Sequence, residues 1–225
     1  KYFKRRKKTI IFLHGLMSNM NGKKSNYFRD FCYKNNYSYL CFDFRGHGRS
    51  SGKINEFGVK DWFNDLNYII KSLDVKNIIL IGSSLGGWVA MSYALSFPKK
   101  ISKLIGLAPA PDFTERLIWM SLNKPEKDLI LSGKIIEKKI SRDFSYYYSK
   151  ELFERSKKKL IRQSKKTYKG ETIIFNGSKD LSVPFDYNNN LLNTKHFPNL
   201  TLITLRDSDH SLSDRYSLRN ILKYI

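Results

Sequence analysis

Two segments of the chain carry a serine between glycines in the spacing Gly-x-Ser-x-Gly: Gly82-Ser83-Ser84-Leu85-Gly86 and Gly48-Arg49-Ser50-Ser51-Gly52. Such a serine can serve as a nucleophile where a strand turns sharply into a helix. The tight turn projects the hydroxyl, and the flanking glycines avoid Cβ clashes. The pattern by itself does not choose between the two segments, but their contexts do. The first follows the apolar run Asn77 to Ile81 and opens a helix rich in small residues, whereas the second lies in a polar, glycine-rich loop. Ser84 is therefore the candidate nucleophile.

A serine hydroxyl reacts only when an imidazole takes its proton, and the imidazole needs an acid to fix its tautomer and stabilise its charged form. Downstream of Ser84 the sequence offers His196 and His210. His210 sits in Arg206-Asp207-Ser208-Asp209-His210, after the strand-like run Leu200 to Leu205, on the edge where strand C-termini gather. His196 precedes that run and reads as a surface residue. Asp180 follows the run Thr172 to Phe175 and lies on the same edge as His210. Asp207 and Asp209 compete as acids, but their place in the His210 loop suits bracing it. The expected catalytic set is Ser84, Asp180 and His210. Its oxyanion hole would be formed by the backbone N–H of Leu85, at the first turn of the following helix, and of Leu16, in the loop His14-Gly15-Leu16-Met17. His14 and His47 read as loop architecture. The spacing of the four His and two Cys residues matches no metal site, and no phosphate loop is present, so no metal and no cofactor are expected.

The elements that must position these groups alternate in type. Thr9 to Leu13, Tyr37 to Phe44, Asn77 to Ile81, Lys103 to Ala108, Thr172 to Phe175 and Leu200 to Leu205 read as strands. Helical spacing is found near Ser25 to Asn35, Phe57 to Leu73, Leu85 to Phe97, Phe185 to Leu192 and Ser211 to Ile225. This alternation predicts an α/β fold, with a mainly parallel sheet and helices on both faces. One domain over residues 1–225 is expected. Pro111 to Gly170 has no clear strand and is crowded with Lys, Arg and aromatic residues. It reads as a small helical lid insertion, 111–170, with short amphipathic helices at Lys134 to Ile140 and Glu151 to Ile161.

Composition sets limits on the reading. A chain of 225 residues that is 41% hydrophobic and 14% aromatic can bury a core and is not a disordered chain. Forty-one Lys and Arg against twenty Asp and Glu give a net charge of +21, a bias toward anions rather than a site. Lys, Asn, Ile and Tyr are frequent together, which points to genome composition as the origin of the charge. No nucleic-acid module accompanies it, and no nucleic-acid partner is expected. Cys32 and Cys41 read as small buried residues in a reducing compartment. From Asn77 to Pro98 there is no charged residue, but central glycines make this a buried strand turning into a buried helix, not a transmembrane segment. The basic run Lys1 to Lys8 lacks a following signal-peptide core, and because the chain starts without Met, a natural N-terminus upstream of Lys1 is an expectation.

His14-Gly15, Phe42-Asp43-Phe44-Arg45-Gly46-His47-Gly48-Arg49-Ser50, Gly82-Ser83-Ser84-Leu85-Gly86-Gly87-Trp88, Gly177-Ser178-Lys179-Asp180-Leu181-Ser182-Val183-Pro184 and Ser208-Asp209-His210 together resemble the α/β-hydrolase fold. Leu16-Met17-Ser18 with Met20-Asn21-Gly22 and the pair Asp61-Trp62 are similar to the abhydrolase-domain mitochondrial palmitoyl-protein thioesterases, also called acyl-glucuronide esterases, and their bacterial relatives. The resemblance covers most of Thr9 to Ile225 and is thin over 111–170. It implies the same nucleophile, acid, base and oxyanion amides, and activity on acyl esters or thioesters, S-acylated protein included. Phe113, Trp119, Phe144, Tyr146, Tyr147 and Tyr148 are available to line an acyl pocket, with Trp119, Phe144 and Tyr147 as the substrate-binding candidates, although packing within the insertion accounts for most of this group. The expected compartment is cytoplasmic, or mitochondrial in a eukaryote. A hydrolase-like binding protein with a basic lid and a peptidase using the same triad are the alternatives.

Overall fold

The apolar runs become a seven-stranded sheet whose order places the serine-bearing strand at its centre. The structure is a computed structural model that describes residues 1–141 and 144–225, without the side chains at 140, 141 and 144. In chain order the elements are β1 (Tyr2–Phe3), β2 (Thr9–Leu13), α1 (Lys23–Lys34), β3 (Ser38–Cys41), α2 (Val59–Ser72), β4 (Ile78–Ser83), α3 (Leu85–Ser96) and β5 (Ile101–Leu107). There follow α4 (Lys124–Leu131), β6 (Ile136–Ser141), β7 (Phe144–Tyr148), α5 (Lys150–Lys157), β8 (Glu171–Gly177), β9 (Leu200–Leu205) and α6 (Arg215–Leu222). The sheet order is β1-β3-β2-β4-β5-β8-β9, with β1 antiparallel to β3 and every other pair parallel.

Alternation along each strand feeds two cores. In β2, Ile11 and Leu13 pack with α2 and α3 on one face of the sheet, while Ile10 and Phe12 pack with α1 and α6 on the other. Near-continuous apolar strands are what a parallel sheet covered on both faces requires. In α2 the buried Trp62, Phe63, Leu66 and Ile70 share a face, each contributing roughly 1.5–3 kcal/mol by its burial. Helix α3 is buried almost throughout, which accounts for the uncharged stretch that contains it.

Residues 111–170 cover the face packed by α2 and α3. A turn of π-helix at Thr114–Trp119, α4, a two-stranded antiparallel hairpin of β6 and β7, and α5 follow one another there. The expectation of an all-helical insertion is thus corrected: Lys134 to Ile140 leads into a strand, not a helix. Tyr146, Tyr147 and Tyr148 favour extended backbone, and pairing with them outweighs the weak helical pattern of the lysine-rich segment. A second correction concerns Phe185 to Leu192, which forms turns and a short 3-10 helix at Asn189–Asn193. There Asn188 spends its side-chain amide on Pro109 O and Asn176 Oδ1, and such side-chain bonding favours turns over helix. The two-residue β1 lies in a basic run that gave no strand signal.

The insertion is tied down at several points. Buried Asp112 accepts from the amides of Ile161 (2.6 Å) and Arg162 (3.0 Å). The Trp88 indole N–H donates to Lys159 O at 2.8 Å, Arg155 pairs with Asp61 at 2.9 Å, and Val59 N donates to Ser156 Oγ at 3.1 Å. No helix among the described residues is long and apolar enough to cross a membrane.

Candidate active site

Ser84 stands at the turn between β4 and α3 with φ 53° and ψ −117°, a backbone conformation costly for a residue with a Cβ. The turn closes only because its neighbours are glycines. A Cβ on Gly82 would fall on the Gly86 carbonyl, and one on Gly86 would fall on the Leu13 carbonyl, both far inside van der Waals contact. Ser84 N donates to Leu107 O at 3.0 Å, and Ser84 O accepts from Gly87 and Ala110, so the strained residue is held on all sides.

Parallel register brings the ends of β2, β4, β8 and β9 to one edge, and the three sequence-predicted side chains meet there. His210 Nε2 lies 3.1 Å from Ser84 Oγ, and His210 Nδ1 lies 2.7 Å from Asp180 Oδ2. Pairing with the carboxylate puts the ring proton on Nδ1 and leaves Nε2 free to accept the serine proton. The other Asp180 oxygen accepts from the amides of Ser182 and Val183, at 2.9 and 2.8 Å. With its side chain only 1% exposed, the carboxylate is anchored by every oxygen it has, while the imidazole, 26% exposed, faces the solvent-accessible side. The competing acids take other partners: Asp207 pairs with Lys179 and Arg206, and Asp209 accepts from Ser211.

Leu85 is the first residue of α3, immediately after the serine, and Leu16 follows Gly15, where an added Cβ would approach Ser84 Cβ to 3.3 Å. Among the described residues neither the Leu16 nor the Leu85 amide donates to a protein acceptor. Two free N–H groups beside the hydroxyl can stabilise an oxyanion that forms at a carbonyl attacked by Ser84.

The remaining histidines sit elsewhere. His14 is buried; its Nε2 accepts from Phe44 N and its Nδ1 faces Gly15 O, which fixes the loop that carries Leu16. Burial pushes its pKa down, and burial with the nearby His14 pushes that of His47 down to about 4. His196 is buried and not at the surface as the sequence suggested, because the segment before β8 folds over it and Lys166 O meets its Nδ1 at 3.1 Å. The second Gly-x-Ser-x-Gly segment is a turn in which Ser50 Oγ donates to Asp43 O. Among the described residues no cluster of three His, Cys, Asp or Glu side chains is placed to hold a metal ion.

A cavity of about 370 Å³ opens at Ser84 and His210, walled by Phe113, Leu117, Ile118, Tyr146, Tyr148 and Val183 among others. Of the three substrate-binding candidates, Trp119 and Tyr147 do not line it. Trp119 packs on Phe153 with Lys127 and Lys157 over its ring, and Tyr147 alternates to the outer face of β7. The side chain of Phe144 lies outside the described residues. Leu181 and Val183 were missed, although their position directly after the acid was a signal that could have found them.

Comparison with known proteins identifies the fold family. A family model described as alpha/beta hydrolase fold matches residues 8–126. The chain is 28% identical over 206 residues to the mitochondrial palmitoyl-protein thioesterase ABHD10 of Rattus norvegicus, covering 91% of this chain and 69% of that protein. A putative hydrolase from Agrobacterium vitis S4 superposes with a TM-score of 0.89 at 26% identity, over 96% of this chain and 87% of the other. Mouse alpha/beta hydrolase domain-containing protein 10 superposes with a TM-score of 0.87 at 24% identity, over 100% and 90%.

Proposed function

Because the chain belongs to the alpha/beta hydrolase fold family, we propose that it is a serine hydrolase that cleaves acyl thioesters or esters through an acyl-enzyme. The observation that supports this reading is the hydrogen-bonded series Ser84, His210, Asp180 on a strained turn at the mouth of an apolar cavity. Ser84 Oγ attacks the acyl carbonyl while His210 Nε2 takes its proton. Asp180 stabilises the imidazolium and never needs to accept the proton, since two amides and the ring already satisfy it. The amides of Leu16 and Leu85 receive the negative charge on the carbonyl oxygen. His210 then protonates the departing thiol or alcohol, and water activated by the same ring releases the acid.

The acyl chain lies in the apolar cavity, and residues 111–170 act as the lid that supplies Phe113, Leu117, Ile118, Ser121, Tyr146 and Tyr148 to its wall. A thioester of a long acyl chain is favoured as substrate by the 28% identity to a protein named palmitoyl-protein thioesterase. Incubation with short-chain p-nitrophenyl esters and acyl thioesters is the test. Ser84→Ala is expected to lose turnover by at least about 10³-fold and to lose labelling by a fluorophosphonate probe. Activity within a few fold of wild type would refute the assignment, and absence of labelling in the wild type would favour a binding protein with a basic lid.

A further inference from the structure

Ser84 and His210 also border a second cavity, of about 300 Å³, that adjoins the apolar one. Its wall is less apolar and richer in polar side chains. Ser18, Asn19, Lys23, Lys24, Ser83 and Ser213 contribute to its wall, and Leu16 and Tyr146 belong to both cavities. A carbonyl attacked by Ser84 has two substituents, and two dissimilar cavities meet at that atom.

Lys24 is the distinctive group in this second cavity. Its ammonium donates to Ser211 O and, at 3.4 Å, to Ser213 Oγ. The first of these is the carbonyl of the residue after His210. Among the described residues no carboxylate lies within ion-pair distance of Lys24; two neutral oxygens hold the ammonium, and Asp209 acts on its charge only from farther away. Burial pushes this amine down to about 8, with Asp209 opposing the shift, which leaves it charged at neutral pH and strongly attracted to any anion that enters. Ser83 is only 4% exposed, and its hydroxyl has no hydrogen-bond partner among the described residues, so a second polar group in the same wall awaits one. The adjoining first turn of α1 contains no acidic residue and no side-chain cap, so its amides add to the positive field.

We propose that this polar cavity is the leaving-group subsite, that it takes an anionic leaving group of which a carboxylate is the simplest case, and that Lys24 is the residue that selects it. The inference rests on Ser84 being the nucleophile. When the acyl C–S or C–O bond breaks, its electron pair stays with the departing atom, His210 supplies the proton, and the anion remains held by Lys24 until the fragment leaves.

The test compares two thioesters with the same acyl chain, one of mercaptopropionate and one of the isosteric neutral mercaptopropanamide, and reads the ratio of their kcat/KM values within each variant. Wild type is expected to favour the anionic thioester by about tenfold or more, equivalent to ~1.4 kcal/mol. Lys24→Met is expected to bring the ratio to about one, and Lys24→Arg to keep most of it. Added salt should lower the ratio in wild type and leave it flat in Lys24→Met. Because the ratio is internal to each protein, partial loss of folded enzyme cancels. A wild-type ratio near one, or an unchanged ratio in Lys24→Met, overturns the proposal while fluorophosphonate labelling of Ser84 still stands. Loss of that labelling removes the nucleophile assignment itself and the subsite with it.

Discussion

Asp180 illustrates how much a single side chain's surroundings decide. Its two oxygens are fully used by two amides and one imidazole, so replacing it by Asn should leave the loop largely in place while offering N–H where the ring needs an acceptor. Asp180→Asn is expected to lower kcat by roughly 10³–10⁴-fold with little change in melting temperature, measured on an ester substrate and by thermal denaturation. The buried histidines carry a different expectation. The His14 and His47 rings lie 5.1 Å apart, tilted to each other, and among the described residues the buried His47 Nε2 has no partner. Since both are held below the ordinary value of 6.5, the unfolded chain binds more protons between pH 6.5 and about 4. The stability they contribute is therefore complete above pH 6.5 and lost as the pH falls through the folded value, by up to about 3 kcal/mol for His47. Urea titrations across that range should show a steep acid loss that His47→Gln flattens.

At the scale of elements, the turn between β4 and α3 and the anchors of residues 111–170 are the points of greatest consequence. Gly86→Ala places a methyl on the Leu13 carbonyl, and the turn must open to admit it. Fluorophosphonate labelling is expected to fall by more than tenfold, with a stability loss of roughly 1–3 kcal/mol by chemical denaturation. Asp112→Ala strips the buried Ile161 amide and the partly buried Arg162 amide of their acceptor, at a cost of about 1–3 kcal/mol, and loosens the segment that walls the apolar cavity. Faster cleavage by protease within 111–170 should accompany it. Sequence pattern reached these elements unevenly. Strands β2, β4 and β8 were legible because burial on both faces writes them as near-continuous apolar runs, and β5 and the edge strand β9 because apolar and β-branched residues still dominate them. The hairpin of β6 and β7 was not, since an isolated two-stranded ribbon on the surface needs no such run, and its lysines match helix and strand equally well. Ser84, Asp180 and His210, which meet at the candidate site, were legible because each follows a strand on the same edge of the sheet. Lys24 was not, because it reaches the cavity only through the meeting of α1 with the loop after β9, which are far apart in sequence.

For the molecule as a whole, a net charge of +21 is self-repulsion that the folded state concentrates. Moderate salt should therefore raise the melting temperature by several degrees, where a chain of balanced charge would respond weakly; a flat thermal profile across salt concentrations would show that ion pairs such as those of Arg45 with Asp65 and Lys103 with Glu171 already offset it. The two cavities that flank Ser84 have a kinetic consequence. If the proposed reaction runs as described, the acyl product and the released thiol or alcohol would occupy separate compartments, and neither fragment would block the other's exit. Inhibition by the two reaction products together is accordingly expected to be multiplicative rather than additive, each able to bind while the other is still resident.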